Sequence, residues 1–168
     1  MRPSARDVHE LLLARGATIS VAESLTGGLF GAELTSVAGS SATFLGGITA
    51  YASAAKTSLL GVSGDLLALH GAVHPDVAAA MAHGVRARFG STYAVALTGV
   101  AGPESQDGQP PGTAYVALVG AGPERLLALA LTLAGARRTV RKEAVRAALA
   151  LVVQELDTSL DMGGKPGA

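Results

Sequence analysis

The chain reads as an α/β protein, a layered α/β/α sandwich on a mostly parallel but mixed sheet. Three observations predict this. Helical-period and strand-like apolar segments alternate along most of the 168 residues, and glycine-rich turns join them. The apolar residues are also small: hydrophobics make up 49% of the chain and aromatics only 4%, so Ala, Val, Leu and Gly must build a core of helices lying close on a sheet. Alternating helices and strands favour parallel pairing, and two adjacent strands near the end make the sheet mixed.

Ser4 can cap a first helix that carries Val8, Leu11 and Leu12 on one side and stops at Gly16. A short strand follows over residues 17–22. After the glycines at 27 and 28, Leu29, Phe30, Leu34 and Val37 recur at helical spacing, so a glycine turn joins strand to helix. The segment Gly39-Ser40-Ser41 interrupts that helix. Residues 44–51 then hold two glycines among apolar side chains, as in a buried strand approached by another backbone.

Ser53 can cap a short helix that ends at Gly61, and a longer helix over residues 75–89 opens with proline in its first turn. Residues 70–74 between them read as a loop. A strand over residues 93–97 leads into Thr98-Gly99-Val100-Ala101-Gly102-Pro103, and the polar stretch to Pro111 is long enough for a functional loop. Strands over 113–119 and 126–133 precede a last helix over 138–156, with Val145, Ala148, Leu149 and Val152 inward. Residues 1–156 form one domain. Residues 157–168, with Gly163, Gly164, Pro166 and Gly167, read as a flexible tail.

Thirteen basic residues balance thirteen acidic ones, which disfavours a nucleic-acid partner. No stretch approaches the roughly 20 apolar residues of a membrane span, and residues 1–10 lack the apolar core of a signal peptide. The cytoplasm is the default compartment. The apolar surplus permits a homodimer or higher homo-oligomer. There is no cysteine, so covalent catalysis would need Ser, Thr, Asp, Glu or Lys. The four histidines form no metal signature, and neither a metal nor a cofactor is assigned. A Ser-His-Asp site using His70 and Asp65 lacks a Gly-x-Ser-x-Gly elbow to support it.

Lysine occurs only at 56, 142 and 165. Residues 48–56 contain no carboxylate to hold the Lys56 ammonium charged, so burial would lower its pKa toward neutrality and suit it to be a base for a serine. A lysine on a short helix after a strand is, however, usually a solvated side chain. Gly39-Ser40-Ser41 is in most proteins an ordinary loop, and Tyr51 ending an apolar strand is more often core with a wet hydroxyl. Thr26-Gly27-Gly28 at a helix start, and Thr98-Gly99 after a strand, can present backbone N–H groups to a phosphate, or can simply be tight turns that need glycine.

Taken together, Ala22-Glu23-Ser24-Leu25-Thr26-Gly27-Gly28, Gly39-Ser40-Ser41, Ala50-Tyr51 with Ala55-Lys56, Leu60-Gly61-Val62, His70-Gly71-Ala72-Val73 and Thr98-Gly99-Val100-Ala101-Gly102-Pro103 resemble the CinA C-terminal domain. That family includes stand-alone nicotinamide mononucleotide deamidases. The resemblance implies an amidohydrolase converting nicotinamide mononucleotide (NMN) to nicotinate mononucleotide and ammonia. It implies Ser41 as nucleophile, Lys56 as base and Tyr51 between them. We infer that backbone N–H groups near Ser40 and Ser41 or the glycine loops would stabilise the oxyanion. Thr98 and Gly99 would line the pocket, Thr26, Gly27 and Gly28 would shape it, and Arg137 would meet the 5′-phosphate. Leu25, Ala52, Ala54 and Ala136 depart from the family pattern, which bears on affinity and substrate choice. The other reading is a non-catalytic nucleotide-binding or competence-associated module.

Overall fold

The computed structural model describes residues 2–122 and 125–162, with side chains described to residue 158. In chain order the elements are α1 (Ala5–Arg15), β1 (Ile19–Glu23), α2 (Leu29–Thr35), a 3₁₀ turn (Ser40–Ala42), β2 (Phe44–Thr49), α3 (Ser53–Leu60), α4 (Gly64–His70), α5 (Pro75–Phe89), β3 (Tyr93–Gly99), β4 (Thr113–Val119), β5 (Leu126–Thr132) and α6 (Arg137–Met162). The sheet order is β2-β1-β3-β4-β5. β2, β1 and β3 run parallel, while β4 and β5 add antiparallel strands, so the expected mixed α/β fold is present.

Strand alternation sorts the core into two layers. On one face, Ile19, Val21, Val95, Leu97, Val116 and Leu118 meet α1, α2 and α6 through Leu12, Phe30, Ala144 and Val152. On the other, Ala22, Ala94, Ala96 and Ala117 meet α5 through Val77, Met81 and Val85. The small alanines let α5 lie close to the sheet. β1 and β3 are buried along their whole length, as interior parallel strands covered on both faces should be, whereas the edge strands β2 and β5 alternate with exposed positions.

Glycine appears where backbones crowd. A Cβ at Gly84 of α5 would lie 1.9 Å from the Leu60 carbonyl oxygen, so α3 can seat against α5 only because that position has no side chain. Gly84→Ala is therefore expected to destabilise the fold by about 2–3 kcal/mol or more, read from the denaturant midpoint. It should also reduce any activity that depends on α3.

Three sequence expectations change. Ser53 is not the cap of α3: the cap position falls on Ala52, with no side-chain bond. Residues 64–70 form a helix that the sequence reading leaves unassigned, because its seven residues are too few to establish a helical period. The expected tail at 157–168 begins too early, since α6 continues to Met162; residues 163–168 lie outside the described residues. No helix among the described residues is long and apolar enough to cross a membrane.

Candidate active site

The connection from β1 through α2 to β2 runs on one face of the sheet, and the connection from β2 to β3 runs on the other. β1 therefore lies at the point where the strand order reverses, and the crevice at the carboxyl ends of β1 and β3 is the place where such sheets bind ligands. A cavity of about 570 Å³ opens there, lined by Ser24 and Leu25 after β1, residues 99–106 after β3, Tyr51 and Arg137.

Ser24 is the first residue past β1 and is held on several sides. Its N–H donates to the Leu97 carbonyl of β3 at 2.9 Å, and the Ala50 N–H past β2 donates to the Glu23 carbonyl at 2.9 Å. The buried Glu23 carboxylate accepts the N–H groups of Gly28 (3.1 Å), Phe30 (3.1 Å) and Gly31 (2.9 Å), and so caps α2 from within. From α6, Arg141 donates to the carbonyls of Leu25 (2.9 Å) and Thr26 (2.7 Å). The turn carrying Ser24 is thus tied to two strands and two helices.

Lys56, on α3, is 1% exposed. Its Nζ donates to Ser24 Oγ at 3.0 Å, to the Ala50 carbonyl at 2.8 Å and to the Tyr51 carbonyl at 3.4 Å. All three acceptors are neutral, and none of the ion pairs among the described residues includes Lys56. Burial pulls its pKa down from the ordinary 10.5 to about 8, partly opposed by the Asp107 carboxylate. Ser24 faces the cavity and the amine stands behind it. A hydroxyl between a ligand space and a readily deprotonated amine has the arrangement of a nucleophile and its base.

This geometry overturns the expected pairing of Lys56 with Ser41. Ser41 is exposed on the 3₁₀ turn before β2, while Lys56 follows β2's far end, and that strand alone spans roughly 16 Å. Ser40 and its N–H, which donates to the Val37 carbonyl, lie at that same distant end and cannot serve an oxyanion at Lys56.

Tyr51 does not relay between hydroxyl and amine either. Its ring is on the exposed side of the cavity, and its hydroxyl accepts from Arg137 at 2.7 Å. Thr98 is 1% exposed and donates to the Ala72 carbonyl at 2.7 Å, so it acts as a strut and not as pocket lining. Thr26 is wholly buried. The N–H groups of Gly27 and Gly28 already serve the Ser24 carbonyl and the Glu23 carboxylate, which removes the expected phosphate cradle at Thr26, Gly27 and Gly28. Gly99 and Arg137 do line the cavity, and Arg137 is steadied by donating to the Gly102 carbonyl at 2.9 Å.

The fold also gathers His70, His74 and Asp76, which the sequence reading leaves scattered. The two rings stack with centroids 3.9 Å apart, and His74 Nδ1 accepts the Asp76 N–H, so this nitrogen's lone pair is engaged in capping α5.

The profile of the CinA C-terminal domain matches residues 1–156. The chain belongs to this family. A CinA-like protein of Frankia casuarinae is 51% identical over 142 residues, covering 84% of this chain and 32% of that protein. The crystal structure of competence damage-inducible protein A from Klebsiella pneumoniae superposes with a TM-score of 0.87 at 35% identity, covering 91% of this chain and 94% of that one. The competence/damage inducible protein CihA from Agrobacterium tumefaciens gives 0.82 at 34% identity over 90% and 96% of the two chains. This CinA C-terminal domain spans about a third of the length of the curated relatives it matches.

Proposed function

We propose that this CinA C-terminal domain is an NMN deamidase that uses Ser24 as nucleophile and Lys56 as base. The observation that carries the reading is the 3.0 Å contact between the Lys56 amine and the Ser24 hydroxyl at the edge of the cavity, with no charged partner bonded to the amine. The family's amidohydrolase members supply the reaction class, and a cavity of about 570 Å³ has room for a mononucleotide.

In the protonated state Lys56 donates to Ser24, and after losing its proton it accepts along the same line. Neutral Lys56 takes the Ser24 proton as Oγ bonds to the carboxamide carbon, and the resulting ammonium protonates the nitrogen that leaves as ammonia. Water then attacks the ester on Ser24. Its proton passes to Lys56 and on to Ser24 Oγ, releasing the nicotinate carboxylate and restoring the pair. Arg137, at the cavity wall beside Tyr51, is the guanidinium for the 5′-phosphate.

Ammonia release from NMN, nicotinamide riboside and nicotinamide by the purified chain tests the reading. NMN is expected to be the best of the three. No release from any of them would leave a non-catalytic nucleotide-binding module. Arg137→Ala should raise KM for NMN roughly 10- to 100-fold with little change in kcat, since a charge-assisted contact of about 1.5–3 kcal/mol is lost in ground and transition states alike. An equal fall in kcat would move Arg137 from binding into the chemical step.

A further inference from the structure

Asp107 lies on the loop between β3 and β4, outside the cavity lining, yet several observations converge on it. Its Oδ2 accepts the Ala72 N–H at 2.7 Å, while the Ala72 carbonyl accepts from Thr98 Oγ1 at 2.7 Å. The main chain of Ala72 is thereby bolted to the end of β3 through its carbonyl and to the loop through its N–H. Among the described residues Asp107 alone, apart from glycines, has positive φ, at 51°. Aspartate and asparagine tolerate that conformation through local side-chain bonding. Gly71 is the surface it packs on, so closely that a Cβ there would lie 2.5 Å from Asp107 Cβ. Gly102 to Gln106, the preceding half of the loop, lines the same cavity as Ser24.

The charges around Lys56 are few. The Glu23 carboxylate is consumed by the α2 amides, Arg137 is turned to Tyr51 and Gly102, and Arg88 of the packed α5 reaches the Ser58 carbonyl. The Asp107 carboxylate opposes the burial-driven fall in the Lys56 pKa.

We propose that Asp107 is a positioning residue for the Ser24–Lys56 pair, a charged latch that pins the cavity loop to the Ala72 amide. This rests on Lys56 being the base. Asp107→Asn keeps an acceptor oxygen and a tolerated backbone but removes the charge. Asp107→Gly removes both charge and latch while accepting positive φ without strain.

Both variants are expected to move the midpoint of the kcat/KM profile to lower pH, and Asp107→Gly should in addition raise KM for NMN about tenfold as the loop loosens. The same shift is readable without substrate. The chain has three lysines, at 56, 142 and 165, so the ε-carbon resonances of a 13C-lysine sample report the Lys56 titration once Lys56→Met assigns its signal. A lower Lys56 midpoint in folded Asp107→Asn and Asp107→Gly supports the charged latch. An unchanged midpoint in both, with native circular dichroism, overturns it. Absence of NMN turnover in the wild type would defeat the proposed reaction but leave this titration decisive for Asp107.

Discussion

With Ser24 replaced by alanine, ammonia release from NMN is expected to fall by ~10⁴-fold or more, since a nucleophile that acts as a unit with its base cannot be partly replaced. Ser41→Ala should stay within about twofold of the wild type, because that hydroxyl is exposed at the opposite end of β2 and near-neutral effects are the rule for such sites. The pair of variants separates the two serines by several orders of magnitude. Substantial turnover by Ser24→Ala, or a collapse in Ser41→Ala, would reverse the assignment. Ser24→Ala should fold normally, as the backbone contacts of the turn come from Glu23, Arg141 and main-chain groups.

Lys56 is expected to separate activity from stability. Lys56→Arg keeps a cation but not a base, because arginine remains protonated, and Lys56→Met keeps length without charge. Both should lose ~10³-fold or more in kcat/KM, within the range of general-base catalysis. In the wild type, kcat/KM should rise with pH and level off above about 8, where the amine is neutral.

The linkage runs in the same direction. Below pH 8 the lysine is protonated both folded and unfolded, and the cost of burying the charge is fully present. Between about 8 and 10.5 the folded chain has released the proton that the unfolded chain still holds, so stability rises with pH and then levels. The gain levels at about 3–3.5 kcal/mol, at 1.36 kcal/mol per pKa unit. Lys56→Met should abolish this slope. At neutral pH it should be about as stable as the wild type, since relief of the buried charge offsets hydrogen bonds worth about 1 kcal/mol each. A wild-type denaturation midpoint independent of pH across that window would contradict the buried amine.

Much of this was legible in the residues. The alternation of elements, the close-approach glycines and the absence of a carboxylate from residues 48–56 all follow from pattern and composition, and the amine is indeed buried. The choice of hydroxyl was not read correctly, although strand direction alone decides it. In a parallel sheet, residues that follow β1 and β2 share one end, so a side chain after β2 meets Ser24, which follows β1, and not Ser41, which precedes β2. Ser24 also sits inside the motif Ala22-Glu23-Ser24-Leu25-Thr26-Gly27-Gly28, at a strand-to-helix turn, a position that exposes nucleophiles in other folds.

The Thr26-Gly27-Gly28 turn misled for a different reason. A helix start offers free N–H groups only if the chain does not cap it, and Glu23, five residues before Gly28, does so from inside the preceding strand. Arg141 and Asp107 gave no local signal, because both act through contacts made across more than 30 residues of chain.

One titration bears most directly on the nucleophile and base assignment. The 13Cε resonance of Lys56 in the wild-type protein, followed from neutral pH to above 11, is predicted to turn over near pH 8. A midpoint at the ordinary lysine value of 10.5 would mean an amine that stays charged beside Ser24 and cannot accept its proton.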